Sequence, residues 1–272
     1  MLTKSNIKFA SSYDVLLSFY EAYGGVLTEK WGEHILRLNT KDVYGKIRYI
    51  QFSRGIHILD FDLCFSKNVE IKVHSSNYNP LQFLYCLQGS CEHKFKKSRD
   101  YHKITQFESV ILSRAKGDCS FFRFLKNEEL RLNLIQVERQ KFLRKRRNNL
   151  SNLNTDLFRV FLDTDYTNNF AHYNVTNLSM ADKIENLHDR TFDGLAKVLL
   201  LEGFVNQILY SHIIEHDKAL TNNYPKTNLQ KKELKIVRQL SKKIMNDPSK
   251  NYNLVDLSSE TGLSQVKLQE GF

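Results

Sequence analysis

The chain has 272 residues, 41% apolar and 26% charged, a balance that supports a sizeable core and excludes disorder as the default state. Three prolines exclude long polyproline spacers, and four cysteines without a Cys-x-x-Cys pair give no zinc-finger pattern. The formal charge of +10 at pH 7 favours a polyanionic partner, either nucleic acid or an anionic membrane surface.

The opening residues, Met1 to Lys8, contain no apolar signal core. From Trp31 to Val137 the pattern is strand-like. Leu59, Phe61, Leu63 and Phe65 are spaced by two, and Val69, Ile71 and Val73 alternate with Glu70, Lys72 and His74. Further short apolar runs begin at Phe83, Val110, Phe121 and Leu130. Period-two alternation broken by short turns predicts antiparallel sheet, closed as a barrel or paired as a sandwich.

Chemistry is sparse in this half. Asp60 and Asp62 share one face of their strand, and a solvated outer face accounts for them better than acid–base catalysis. His57, His74, His93 and His102 stand alone with no His-x-His pair, so no metal site is expected. No nucleophile elbow or P-loop is present, and neither an enzymatic activity nor a cofactor is expected. An effector would enter the interior of the sheet structure. Phe61, Phe83, Tyr85 and Phe122 are the candidate lining residues, with plain core packing as their alternative role.

After Val137 the style changes. Arg139 to Arg147 is a basic run, expected as a solvated, mobile joint, with nucleic-acid contact as the alternative. Asn148 to Asn154 is a polar joint. From Leu178 to about Ala219 the spacing is helical: Leu195, Val198, Leu199, Val205, Ile208 and Leu209 recur at threes and fours. The most apolar part, Ala196 to Ile214, carries Lys197, Glu202, Asn206 and Gln207 and does not read as a membrane span. A cytoplasmic setting is expected. Thr221 to Asn228, with a proline and several turn residues, is the best linker.

The last forty residues are the most informative. Leu234, Val237, Leu240 and Ile244 form one helical face within Lys231 to Met245, and Asp247-Pro248 stops that helix. Asn253 caps a second helix, Leu254 to Thr261, which ends at Gly262. Leu263 anchors the turn, and Ser264 caps a third helix beginning at Gln265. Helix, glycine turn and capped helix make the helix-turn-helix pattern, which also occurs in ordinary bundles. Ser264, Gln265, Val266, Lys267, Gln269 and Glu270 are the candidate DNA-binding residues. Glutamine pairs two-pronged with adenine, a carboxylate accepts from cytosine, and lysine meets phosphate.

The run from Asn253 through Gly262-Leu263-Ser264 to Leu268-Gln-Glu-Gly-Phe272 resembles the first helix-turn-helix of the AraC family of transcriptional regulators. The ending Lys267 to Phe272 is most similar to the PchR-type branch, and Leu199 to Leu209 resembles the long helix that precedes the DNA-binding domain there. Ser258 departs from the alanine usual in the family. The resemblance covers roughly residues 178–272 and matches the first half in layout only.

The resemblance implies an α+β chain in three parts. Residues 1–147 form a cupin-like, antiparallel β-barrel that senses a small effector, siderophore-like by analogy. Residues 148–222 form a helical linker that dimerises, and residues 229–272 form the first helix-turn-helix of an all-α DNA-binding domain. Promoter DNA and RNA polymerase are the implied partners, activation is the commoner mode, and no membrane is involved. Because the family carries two such units and the chain stops at Phe272, a truncated domain is expected, with weakened DNA binding. The alternative is a cupin-like small-molecule-binding protein or enzyme whose helical tail makes protein contacts only.

Overall fold

A computed structural model describes residues 3–8, 11–74, 78–144, 150, 153, 155–174, 176–187, 193–221 and 229–272, with side chains from residue 11 onward. All but Thr221 of the linker expected at Thr221 to Asn228, and most of the polar joint at Asn148 to Asn154, lie outside these residues. The chain divides into two compact units, Met1–Leu220 and Thr221–Phe272.

The first unit runs β1 (Thr3–Lys8), α1 (Tyr13–Tyr23), β2 (Val26–Lys30), β3 (Glu33–Asn39), β4 (Val43–Gln51), β5 (Ile56–Phe65) and β6 (Val69–His74). It continues through β7 (Leu81–Gln88), β8 (Ser90–Phe95), β9 (His102–Thr105), β10 (Ser109–Ser113), β11 (Cys119–Phe124) and β12 (Glu129–Val137). Then follow α2 (Arg139–Leu143), α3 (Thr155–Leu162), β13 (Phe170–Asn174), α4 (Leu178–Asn186) and α5 (Gly194–Leu220). The second unit contains α6 (Lys231–Asn246), α7 (Leu254–Thr261) and α8 (Gln265–Gly271).

The strands build two sheets, ordered β1-β6-β11-β8-β9 and β13-β10-β7-β12-β5-β4-β3-β2. All pairings are antiparallel except β1 with β6. The expected closed barrel does not form, because each sheet ends in edge strands and hydrogen bonding does not run around a ring. The reason lies in the middle of the larger sheet, where β7 is apolar on both faces. On β7, Leu84 and Cys86 face the smaller sheet, while Leu81, Phe83, Tyr85 and Leu87 face a helical layer. A strand of this kind has no watered face to put outside a barrel. The result is three layers: small sheet, large sheet, helices.

Two cores follow. Between the sheets lie Leu36, Ile47, Leu59 and Leu63 from the large sheet and Val69, Ile71 and Cys91 from the small one, with Val15, Leu16 and Phe19 of α1 inserted beside them. On the other face, Phe142, Leu157, Phe161, Ile184, Val205 and Ile208 of the helices pack on Ile58, Phe83 and Ile135. Burying each large side chain stabilises by about 1.5–3 kcal/mol, so the helical layer is integral to the unit. Gly45 permits the tight β4–β5 pairing. Its φ is 132°, and an added Cβ would lie 2.0 Å from the Asp62 carbonyl oxygen.

The structure departs from the sequence expectation at Asp60 and in the basic run. Asp60 is not solvated. It is 6% exposed and accepts from Arg48 Nε at 2.9 Å and Asn133 Nδ2 at 2.6 Å. It faces the helical layer with Ile56 and Ile58, and Arg48 also donates to the Leu187 carbonyl at 2.9 Å and to Glu33 at 3.3 Å. Burial opposes the charge on Arg48, but Asp60 and Glu33 outweigh it and raise its pKa. Asp62, two residues on, does remain partly exposed.

The basic run is not a mobile joint where it is described. Its first five residues form α2, because Phe142 and Leu143 supply an apolar face to the helical layer. Arg139 is fully buried, donating to the carbonyls of Val160 at 3.1 Å and Asn79 at 2.9 Å and lying 4.5 Å from the Tyr166 ring centroid. The rest of the run, residues 145–147, lies outside the described residues.

Candidate functional site

The second and third helices of the second unit start where the caps in the sequence place them, and α6 has a cap of its own. On α6, Glu233 reaches back to the Gln230 backbone N–H at 2.8 Å, closing a capping box. Asn253 Oδ1 accepts from the Asp256 N–H at 2.8 Å and starts α7. Gly262 ends α7 in the left-handed conformation, φ 71° and ψ 8°, and its N–H returns to the Ser258 carbonyl at 2.9 Å. Ser264 Oγ then accepts from the Lys267 N–H at 3.3 Å, starting α8.

The core of this unit is small: Leu229, Val237, Leu240, Leu257, Leu263 and Leu268. Leu268 is fully buried and fixes the rotation of α8. Ser258, the departure from the family pattern, donates its hydroxyl to the Leu263 carbonyl at 2.6 Å and so ties the turn.

With Leu268 inward, Gln265, Val266, Gln269 and Glu270 share the opposite face of α8, and Ser264 is exposed beside them. Val266 is 70% exposed, more than packing within this unit requires. Lys267 does not join that face. Its Nζ turns to Glu233 Oε1 on α6, 2.5 Å away, and this contact holds the Glu233 carboxyl below the usual carboxylate range. The arrangement therefore presents two amides, a methyl pair and a carboxylate from one short capped helix.

The four candidate effector residues are divided by the fold. Phe61 and Phe122 line a cavity of about 70 Å³ between the sheets, with Phe19, Phe124 and the polar Gln82 and Gln136. Phe83 and Tyr85 lie on the other face of β7, in the helical core, where the Tyr85 hydroxyl donates to the Asn177 carbonyl at 2.5 Å. Ligand pockets usually span about 300–1,000 Å³, so the inter-sheet cavity as it stands holds little more than water. At its edge Arg114 donates to Gln82 at 3.0 Å, and complete burial pulls its pKa down to about 10.

The lone histidines have structural partners. His57 sits between the Tyr49 hydroxyl at 3.0 Å and Glu138 at 2.7 Å, and His93 Nδ1 pairs with the Tyr173 hydroxyl at 2.8 Å. His102 stacks on Tyr173 at 3.6 Å between centroids. Among the described residues no group of three His, Cys, Asp or Glu is placed to hold a metal ion. No helix among them is long and apolar enough to cross a membrane.

Residues 44–221 match the model of the regulatory protein PchR N-terminal domain family. No curated protein matches the chain. Among solved structures it is similar to apo ToxT from Vibrio cholerae strain SCE256, at 14% identity over 79% of this chain and 73% of that one, with a TM-score of 0.43. It is also similar to the AraC-like transcriptional activator CuxR, at 10% identity over 89% and 80%, TM-score 0.36. A third is KdgF from Halomonas sp., at 10% identity over 41% and 84%, TM-score 0.26. The family match, which spans more than half of the chain, carries the assignment.

Proposed function

The chain belongs to the family of the regulatory protein PchR N-terminal domain, and we propose that it regulates transcription by binding DNA through the α7–Gly262–α8 pair. The observation that carries this is the exposed face of α8. Gln265, Val266, Gln269 and Glu270 stand outward on a helix whose rotation is set by buried Leu268 and whose start is set by Ser264. The formal charge of +10 favours the approach to a polyanion.

In this reading the pair is a helix-turn-helix, and α8 enters the major groove. Gln265 and Gln269 read adenine, Glu270 accepts from cytosine, Val266 packs on a thymine methyl, and Ser264 contacts phosphate. Residues 1–147 sense a small effector, residues 148–222 link and dimerise, and residues 229–272 bind promoter DNA. The protein acts in the cytoplasm as an effector-responsive activator alongside RNA polymerase, without catalysis of its own. The effector is siderophore-like by family resemblance. Effector control requires unequal affinity for two arrangements of the chain.

Selection from a pool of random duplex DNA tests the reading. The full chain should enrich a short motif containing adenine at adjacent positions, and a pool that stays random after repeated rounds would overturn it.

A further inference from the structure

The outer face of the large sheet carries a second and larger cleft, about 450 Å³, bordered by the first turns of α5. That volume is within the range of small-molecule sites. Strand register arranges its charges in two cross-strand rows. In the outer row Arg131 on β12 pairs with Asp62 on β5, Asp62 with Lys46 on β4, and Lys46 with Arg37 on β3. In the inner row, two residues along, Asn133 pairs with Asp60, Asp60 with Arg48, and Arg48 with Ile35. Both rows face away from the inter-sheet core, which their strand neighbours Leu36, Ile47, Leu63 and Leu132 occupy.

The inner row is nearly satisfied. Arg48 holds Asp60 and Glu33, and Lys197 of α5 donates to Glu33 at 2.7 Å, so both carboxylates are already engaged. Burial pushes the Glu33 carboxyl up, but Lys197 and Arg48 outweigh it. The exception is Asn133. Its Nδ2 donates to Asp60, while its Oδ1 is buried and has no partner among the described residues. A buried acceptor left unmade costs about 1–3 kcal/mol.

The outer row is short of negative charge. Lys46 reaches Asp62 only at 3.8 Å, and Arg37 donates to the Thr28 hydroxyl at 3.2 Å. Arg131 has neither an ion pair nor a hydrogen bond among the described residues. Lys46 and Arg37 stand directly opposite one another, a like-charge pairing that destabilises a sheet. An anion in the cleft reverses the sign of that interaction, and guanidinium groups hold carboxylate and phosphate two-pronged.

We propose that this cleft binds a small anion, its carboxylate or phosphate held by Arg37, Lys46 and Arg131. The site lies within residues 1–220, and its occupancy does not depend on whether α8 reads DNA.

Calorimetric titration of the full chain in low chloride, with citrate and separately with glucose 6-phosphate, tests this and distinguishes the two anion sources. At least one should bind, and whichever does names the group. Arg131→Gln and Arg37→Gln should each weaken binding by at least about tenfold, with the melting temperature not lowered. Lys94→Gln, on the small sheet, should leave binding as it is. Should one arginine variant fail to fold, the other carries the test. Absence of binding by both anions at millimolar concentration overturns the site, as does binding that survives both arginine substitutions.

Discussion

Lys267 on α8 is bonded to Glu233 on α6, Nζ to Oε1 at 2.5 Å, so the lysine of the proposed reading helix is held away from its exposed face. If the pair opens on DNA, Lys267 meets phosphate. Glu233→Gln, which frees the ammonium, should then raise affinity for any duplex and steepen the salt dependence by about one unit of slope. Anisotropy titrations over a salt series read this directly. An unchanged slope means that Lys267 does not reach the backbone.

Gln265 and Gln269 carry the sequence discrimination. Gln265→Ala and Gln269→Ala should each cost about 1–3 kcal/mol at one base pair and leave affinity for unrelated duplexes nearly unchanged. Competition binding against single-base variants of the selected motif checks it. An equal loss on every sequence would assign the residues to general contacts.

The Arg48–Asp60 pair predicts an asymmetric double-mutant cycle. Asp60→Leu strands a buried guanidinium and should cost about 3–5 kcal/mol, toward the lower end because Glu33 remains. Arg48→Met together with Asp60→Leu should recover much of that loss. Urea midpoints measure both, and an Asp60→Leu chain as stable as the parent would contradict the buried network.

Two glycines separate close approach from strain. Gly45→Ala drives a methyl to 2.0 Å from a backbone oxygen, and the first unit should fail to fold. Gly262→Ala meets nothing within 4 Å and suffers only its positive φ, at a cost of about 1–2 kcal/mol. Soluble expression and helical content of the variants report the two outcomes.

Acid should destabilise the first unit in a defined window. Burial of His212 of α5 against Phe83 pulls its pKa from 6.5 to about 3. Below pH 6.5 the unfolded chain takes up a proton that the folded chain refuses until about pH 3, so stability falls with pH across that range. His93, also held near 3 by burial, adds to the same slope. His212→Phe should flatten it, measured as urea midpoints at pH 7 and pH 5. An unaltered difference between the two pH values would show that His212 is not buried neutral.

Much of the second unit was legible because capping is local. Asn253, Gly262 and Ser264 set helix ends through hydrogen bonds a few residues long, and those residues fall at the ends observed. The strands between Trp31 and Val137 were legible for the same reason, since alternation is a property of neighbours, whereas β1, β2 and β13 lie outside that region and carry no such signal. Sheet closure was not legible, because a strand apolar on both faces, such as β7, belongs equally to a barrel wall or a covered sheet. Asp60 was misread from spacing alone. Ile56 and Ile58, on its own face of β5, were the available signal that something covers that side. The contrast between Phe61 and Phe83 depends on which strands lie between which layers, information held in long-range pairing. The family match over residues 44–221 meets the resemblance read in residues 178–272 only along the helices before the linker.

The most direct test of the central proposal is binding of the full chain to its own upstream DNA, followed by anisotropy across a salt series against a scrambled duplex of equal length. The account predicts binding at low salt that weakens steeply as salt rises, with the upstream sequence preferred over the scrambled one. No binding at low salt, or equal binding to both duplexes at every salt concentration, would contradict it.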